Sequence, residues 1–150
     1  MHMVIDYRSG TYPFDAAVTD KDDRVVALVE VKETPRSNWP EILAPRLKGM
    51  SEGVEFILAV DLGAIRVYRI ERNVLGDPVA VFGTAGILSH YDADFSKRRV
   101  FQPYLLTLVE AWLRDLAYHW RSESPPGQDE LRESGFLSRL EGGGTRRLDV

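Results

Sequence analysis

The pattern of apolar and polar residues predicts a chain that begins with short strands and ends with helices. The pattern predicts strands at residues 4–7, 12–19, 24–32, 55–60 and 65–70, and a further short strand at 79–82. The run at 25–29 reads Val-Val-Ala-Leu-Val, which is typical of a strand covered on both faces. We therefore expect the strand at 24–32 to lie at the centre of a sheet.

Helical spacing of apolar residues predicts three helices. The first covers 39–50, where Pro45 lies inside the pattern and predicts a kink or a late helix start, because it removes one helical hydrogen bond. The longest covers 101–120, and its apolar stripe consists of Leu105, Leu108, Val109, Trp112, Leu116 and Trp120. Ser-Pro-Pro-Gly at 124–127 ends this region, and residues 129–140 predict a last amphipathic helix.

Length and pattern together favour a single α/β domain over residues 1–122. The chain has 150 residues, which is the size of one ordinary domain. Residues 123–141 are expected to add a C-terminal amphipathic helix. The segment 142–150 is rich in glycine and charge, and we expect it to be a disordered tail.

Composition narrows the class of protein further. The absence of cysteine excludes disulfides and thiolate metal sites, as in proteins of a reducing cytoplasm. Apolar runs stay below membrane-spanning length and no signal peptide opens the chain, so we expect a cytoplasmic location and no membrane partner. The net charge of −4 opposes DNA binding, which depends on neutralising phosphates. Two local groups of cations could offset that charge, namely Lys97 to Arg99, and Arg66 with Arg69 and Arg72, although each group alone is more typical of a solvated surface.

Three charged residues are predicted to meet at one end of the central strand. Asp15 lies on the first strand of a hairpin whose turn is the polar segment 20–23. Glu30 and Lys32 lie on the second strand two residues apart, and they therefore point to the same face of the sheet. The hairpin brings Asp15 close to both.

These residues have the chemistry of a site for a hard divalent cation. Mg²⁺ takes oxygen ligands, usually one or two carboxylates with waters and substrate phosphate. Asp15 and Glu30 supply carboxylate oxygens, and the main-chain carbonyl of Val31 is a further candidate ligand. Lys32 would orient an attacking water or stabilise charge on a phosphate during hydrolysis.

A purely structural interpretation of the same residues stays open. A Glu-x-Lys pair is common, and residues 30–34 equally describe the polar end of a strand that emerges into water. Asp15 is then only a charge at a strand edge. The context favours the site, because an Asp, a hairpin, a long apolar strand, Glu-x-Lys and an amphipathic helix follow one another.

At these residues the sequence resembles the PD-(D/E)xK nuclease superfamily. It is most similar to the N-terminal nuclease region of type I restriction-enzyme R subunits and their small stand-alone bacterial relatives. The matching stretch runs from Tyr-Pro-Phe-Asp at 12–15 to Val-Glu-Val-Lys at 29–32, with one residue between Pro13 and Asp15. A looser likeness continues through the helix near Trp39 to Ile70, so that about half the chain is covered.

The resemblance implies a restriction-endonuclease-like fold, with a central mixed β-sheet flanked by helices, and Mg²⁺- or Mn²⁺-dependent hydrolysis of DNA. Asp15 matches the metal-binding Asp, Glu30 the second acidic ligand and Lys32 the catalytic lysine. The superfamily core usually begins with a helix that often carries another acidic residue. Few residues precede Val4, so we expect that helix to be absent, truncated or replaced by a later one, and no ATPase or helicase signature occurs.

Three hypotheses follow. The first is a metal-dependent DNA nuclease, which the intact Asp, Glu and Lys favour. The second is a catalytically inactive binding or assembly module that keeps this fold, favoured by the missing first helix and the acidic charge. The third is a small-molecule or regulatory domain without a nucleic-acid role. The two tryptophans on the 101–120 stripe also predict a homodimer interface.

Overall fold

The chain forms a six-stranded mixed sheet in a computed structural model that describes residues 12–50 and 53–148. The strands are β1 Ala16–Thr19, β2 Val25–Val31, β3 Phe56–Val60, β4 Ala64–Glu71, β5 Val74–Gly83 and β6 Gly144–Arg147. Their spatial order is β5-β4-β3-β2-β1-β6, and only the β2–β3 pair is parallel. The predicted α/β class with a mixed sheet is confirmed, whereas the expected strand at 4–7 lies outside the described residues.

The helices occupy both faces of this sheet. They are α1 Trp39–Leu43, α2 Thr84–Leu88, α3 Gln102–Tyr118, α4 Gln128–Ser134 and α5 Phe136–Leu140, with short 3-10 helices at Ala44–Leu47 and Phe95–Lys97. Helix α1 lies in the connection between β2 and β3, because parallel neighbours need a crossover. No helix of the described ranges has the length and apolar character needed to cross a membrane.

Two apolar layers cover the sheet. One face packs against α3, α4 and α5 through side chains that include Leu105, Trp112, Leu131, Phe136 and Leu140. The other face packs against α1 and the 3-10 helix after it, together with Tyr12 and Phe14. Residues 26–29 of β2 have no exposed surface, so the predicted central position of this strand is confirmed.

The N-terminal half follows the sequence pattern with two differences. Helix α1 ends at Leu43 and a 3-10 helix containing Pro45 follows, which confirms the expected disturbance there. The strand predicted at 12–19 begins only at Ala16, since the backbone bends before it. Phe14 therefore packs on the face opposite Ala16 and Val18, whereas strict alternation had placed all three together.

The C-terminal region is part of the same domain. The helix predicted at 129–140 is divided at Gly135, whose φ of 87° ends one helix and begins the next. Phe136 of α5 packs edge-to-face on Phe56 of β3, with ring centroids 5.1 Å apart. Helix α3 ends at Tyr118, so of the two tryptophans in the predicted stripe Trp112 lies in α3 and is buried, whereas Trp120 lies beyond the helix and is about half exposed. The homodimer stays a prediction.

The expected disordered tail at 142–150 was wrong for residues 144–147, which form β6. This strand pairs antiparallel with β1, and Arg147 is bound to Glu110 of α3 at 2.8 Å. Leu148, just after the strand, is buried. The composition of this segment did not predict a strand, because the sequence Gly-Thr-Arg-Arg has no apolar face. The strand is stabilised by partners that are distant in the sequence.

Gly143 allows β6 to approach β1. A Cβ atom on this residue would lie 1.8 Å from the carbonyl oxygen of Thr19, which is a main-chain atom that cannot move aside cheaply. We predict that Gly143→Ala lowers the free energy of unfolding by about 2 kcal/mol, because the added carbon forces the two strands apart. Urea unfolding at neutral pH measures the change.

Gly86→Ala in α2 is the matched control for this substitution. No atom lies within 4 Å of the added carbon, and alanine is the better helix former, so the variant should gain roughly 0.5–1 kcal/mol. Equal unfolding midpoints for the two variants would contradict the close packing of β6 on β1.

Candidate functional site

Asp15 lies just before β1 and joins three strands. Its N–H donates to the Val29 carbonyl at 3.0 Å, and its carbonyl accepts from the Leu148 N–H at 3.1 Å. Its carboxylate Oδ2 accepts from the Val31 N–H at 2.8 Å. The bond from the Asp15 N–H is the last backbone contact between the two strands at this end, and the Asp15 side chain continues the pairing to Val31.

Glu30 and Lys32 lie at the end of β2, on the face that α1 covers. Glu30 is 5% exposed, and its Oε2 is 3.1 Å from the Lys32 Nζ. The carboxyl group of Asp15 is close enough to Glu30 for a hydrogen bond between the two side chains. The structure therefore brings Asp15, Glu30 and Lys32 together on one side of the sheet.

The electrostatics of Asp15 reflect this crowding. Burial raises the pKa of Asp15, the hydrogen bond from Val31 opposes that effect, and the neighbouring Glu30 raises the pKa again. The positive charge of Lys32 offsets the shift only in part, so the pKa lies above its ordinary value. Two carboxylates at this distance destabilise each other unless a cation lies between or beside them.

Arg46 is a fourth member of the cluster that the sequence analysis did not identify. Its Nη1 is 3.0 Å from Glu30 Oε2 and donates to the Pro13 carbonyl at 3.0 Å. Its guanidinium lies over the Phe14 ring, 5.5 Å from the centroid. No local pattern predicts these contacts, because they depend on the 3-10 helix that carries Arg46 back across the end of β2.

Asp61 lies at the end of the neighbouring strand β3, and the sequence analysis did not identify it either. It directly follows β3, is 1% exposed, and accepts hydrogen bonds from the N–H groups of Arg36, Gly63 and Ala64 and from the Trp39 indole, at 2.8–3.0 Å. The carboxylate thus ties the β3–β4 turn to the beginning of α1. A polar residue immediately after a buried strand was the available signal.

The pKa of Asp61 lies below its ordinary value. Burial alone would raise the pKa, but the hydrogen bonds from Trp39, Arg36 and the β3–β4 turn outweigh burial. The carboxylate is therefore charged and fully used by the fold. Its role is structural support for the end of the sheet where Lys32 emerges.

The donor set at Asp15 and Glu30 fits a hard divalent cation. In a strand the N–H and C=O of one residue point to the same side, so the Val31 carbonyl lies on the side from which its N–H meets Asp15. Within residues 12–50 and 53–148, no group of three or more His, Cys, Asp or Glu side chains forms a metal cluster. Two carboxylates with main-chain, water and phosphate oxygens are nevertheless the usual surroundings of Mg²⁺.

The chain was compared with protein families, curated proteins and solved structures, and a functional interpretation must rest on the geometry described above. No protein-family model matches the chain, and neither a curated protein nor a solved structure matches it. The PD-(D/E)xK resemblance therefore stays a prediction carried by residues 12–32 and by their placement in the fold.

Removal of the Asp15 charge should not weaken the metal-free fold. Asn in this position keeps an oxygen that accepts the Val31 N–H and removes the repulsion with Glu30, so in chelator the melting temperature of Asp15→Asn should be unchanged or higher by about 2–4 °C. Asp15→Ala loses the acceptor as well and should cost roughly 1–2 kcal/mol. Thermal melting of the three proteins decides, and a large loss in Asp15→Asn would mean that the fold requires the charge.

Asp61→Asn should destabilise the fold strongly. An amide NH₂ would oppose the N–H donors around Asp61, and we expect a loss of about 3 kcal/mol at pH 7. Since the folded-state pKa lies below 3.8, the stabilisation by Asp61 is present above pH 3.8 and is lost as the pH falls through the folded-state value. The gap between wild type and variant should therefore narrow in acid.

Denaturant unfolding between pH 7 and pH 3 measures that gap. Asp129→Asn is the control, because the Asp129 side chain is 84% exposed and its ion pair with Arg132 contributes under about 1 kcal/mol. A gap that stays constant down to the lowest pH would contradict a charged, hydrogen-bonded Asp61.

Proposed function

We propose that this chain is a metal-dependent nuclease with a restriction-endonuclease-like fold that hydrolyses DNA phosphodiester bonds. The observation that supports the proposal is the meeting of Asp15, Glu30 and Lys32 at the end of the central strand β2. The order of elements around them also supports the proposal, because the resemblance extends over a hairpin, a helix and strands, and a hairpin, α1 and β3 follow one another here.

Each residue of the cluster has a distinct role in this proposal. Asp15 and Glu30 would hold Mg²⁺ or Mn²⁺ with the carbonyl of Val31. When bound, the cation would lower the pKa of a water and stabilise negative charge on the phosphoryl oxygens. Lys32 is about one-third exposed, so its ammonium is accessible from solvent while it contacts Glu30, and it would orient the water or stabilise charge on the phosphate.

A cleft that contains two arginines begins directly after Lys32 along the chain, and its apolar lining belongs to the layer on the other face of the sheet. The residues that follow Lys32, namely Glu33 and Thr34, line a cleft of about 400 Å³ together with Arg98 and Arg99. The Arg99 guanidinium lies 5.0 Å from the ring centroid of Phe101. Arg98 is paired with Asp92 at 3.3 Å, so the positive charge that this cleft offers to a phosphate comes mainly from Arg99. Neutralising phosphates is the main source of affinity for nucleic acid.

A non-catalytic binding or assembly module is the second candidate. The observation in its favour is that Glu30 already has two cationic partners, Lys32 and Arg46. With Asp15, the cluster carries two negative and two positive charges and is balanced without a metal ion. A charge-balanced cluster of this kind also occurs where it only stabilises the fold. Measuring divalent-metal binding distinguishes the nuclease from the non-catalytic module.

The nuclease proposal predicts that the protein cuts DNA in Mg²⁺ or Mn²⁺ and that Lys32→Ala lowers the rate roughly a hundredfold or more. Lys32 is not a proposed ligand and its ammonium lies 3.1 Å from Glu30 Oε2, so the variant should keep its fold and bind metal at least as tightly as wild type. The measurement is cleavage of plasmid and of single-stranded DNA, with and without chelator, beside titration calorimetry with Mn²⁺.

Lys21→Ala is the matched control, because Lys21 lies in the hairpin turn at the opposite end of β2. It should cut at the wild-type rate. Wild type that neither binds divalent metal nor cuts DNA would favour the non-catalytic module. Cleavage that persists in Lys32→Ala would exclude Lys32 as a catalytic residue.

A further inference from the structure

Arg46 is fixed against the site by three different contacts. They are an ion pair to Glu30, a hydrogen bond to the Pro13 carbonyl and a cation–π contact with Phe14. The side chain is only 25% exposed. The fold therefore positions this guanidinium by packing as well as by charge, unlike an arginine that reaches a carboxylate from open solvent.

Arg46 and Lys32 use the same oxygen of Glu30. Both contacts go to Oε2, at 3.0 Å and 3.1 Å. A divalent cation held by Asp15 and Glu30 needs the electron pairs of these carboxylates, and a positive charge already within hydrogen-bonding distance repels it. Arg46 therefore competes with a cation for Glu30.

Arg46 can release the Glu30 oxygen and remain near the site more easily than Lys32 can. The Pro13 carbonyl and the Phe14 ring continue to hold the guanidinium near the site when the ion pair opens. A guanidinium also matches two oxygens of a phosphate group through parallel N–H donors, which an ammonium does not. A phosphodiester placed beside the cluster thus offers Arg46 a replacement partner.

We propose that Arg46 couples the binding of metal and DNA. Without substrate it occupies Glu30 and weakens metal binding, and with substrate it turns to a non-bridging phosphate oxygen and leaves Glu30 to the cation. Metal and phosphodiester then bind with positive cooperativity, each raising the affinity for the other by the same factor. This inference rests on the proposed function, because it takes Asp15 and Glu30 as the metal ligands.

The first experiment measures Mn²⁺ binding to the protein alone by titration calorimetry. Arg46→Gln keeps a polar side chain and removes the charge, so it should bind Mn²⁺ at least about tenfold more tightly than wild type. Arg24→Gln is the control, because Arg24 pairs with Asp22 beside the hairpin turn and is exposed. It should bind Mn²⁺ like wild type. Circular dichroism checks that each variant is folded.

The second experiment measures the coupling itself. Mn²⁺ affinity is determined with and without a short DNA duplex, in the Lys32→Ala background so that the DNA stays intact. The factor by which DNA tightens Mn²⁺ binding should fall about fivefold or more when Arg46→Gln is added. Arg46→Lys, which keeps the charge without the paired donors, should retain weak metal binding and lose most of the coupling.

The outcomes separate this inference from the proposed function. Equal Mn²⁺ affinities in wild type and Arg46→Gln, with DNA cleavage by wild type, would overturn the role of Arg46 and leave the nuclease standing. Mn²⁺ binding by Arg46→Gln but not by wild type would support competition for Glu30, and it would remove the nuclease proposal only if wild type also fails to cut DNA in Mn²⁺. Absence of binding in both would overturn both. If Arg46→Gln fails to fold, Arg46→Lys decides through the coupling factor.

Discussion

The hydrogen bond from the Val31 N–H to the Asp15 carboxylate is the contact on which the arrangement of the candidate site depends. The last backbone bond between the two strands at this end runs from the Asp15 N–H to the Val29 carbonyl, and the Asp15 side chain extends the pairing to Val31. It thereby places an acidic group next to Glu30 at the end of a fully buried strand. The same bond makes Asp15 serve the fold and the site at once.

Charge balance is the second constraint on this end of the sheet. Asp15 and Glu30 are close to Lys32 and Arg46, and each member alters the free energy of the others because burial weakens screening by water. The cluster is therefore a unit whose members cannot be assigned separate energies from the geometry alone. Asp61 stands apart from it, because its hydrogen bonds within the fold already satisfy its charge.

Periodicity predicted most of the sheet and the long helix, because in β2 and α3 the local pattern and the tertiary environment agree. The hairpin and the two-residue spacing of Glu30 and Lys32 also predicted their meeting with Asp15. The rest depends on contacts between distant segments. Nothing near Arg46 shows that a 3-10 helix turns it towards Glu30, and β6 has no apolar periodicity at all, since its position depends on the backbone of β1 and on Glu110.

The pairing of β6 with β1 bears on the order in which the protein is assembled during translation. The two strands are separated by nearly the whole chain, and Leu148 donates the hydrogen bond to the Asp15 carbonyl. Synthesis proceeds from the N-terminus, so β1 and β2 leave the ribosome while their last neighbour does not yet exist. An edge of β1 stays open to foreign strands during that interval. We therefore expect a nascent chain stalled before residue 144 to bind a holdase chaperone more strongly than the released protein, in which β6 covers that edge.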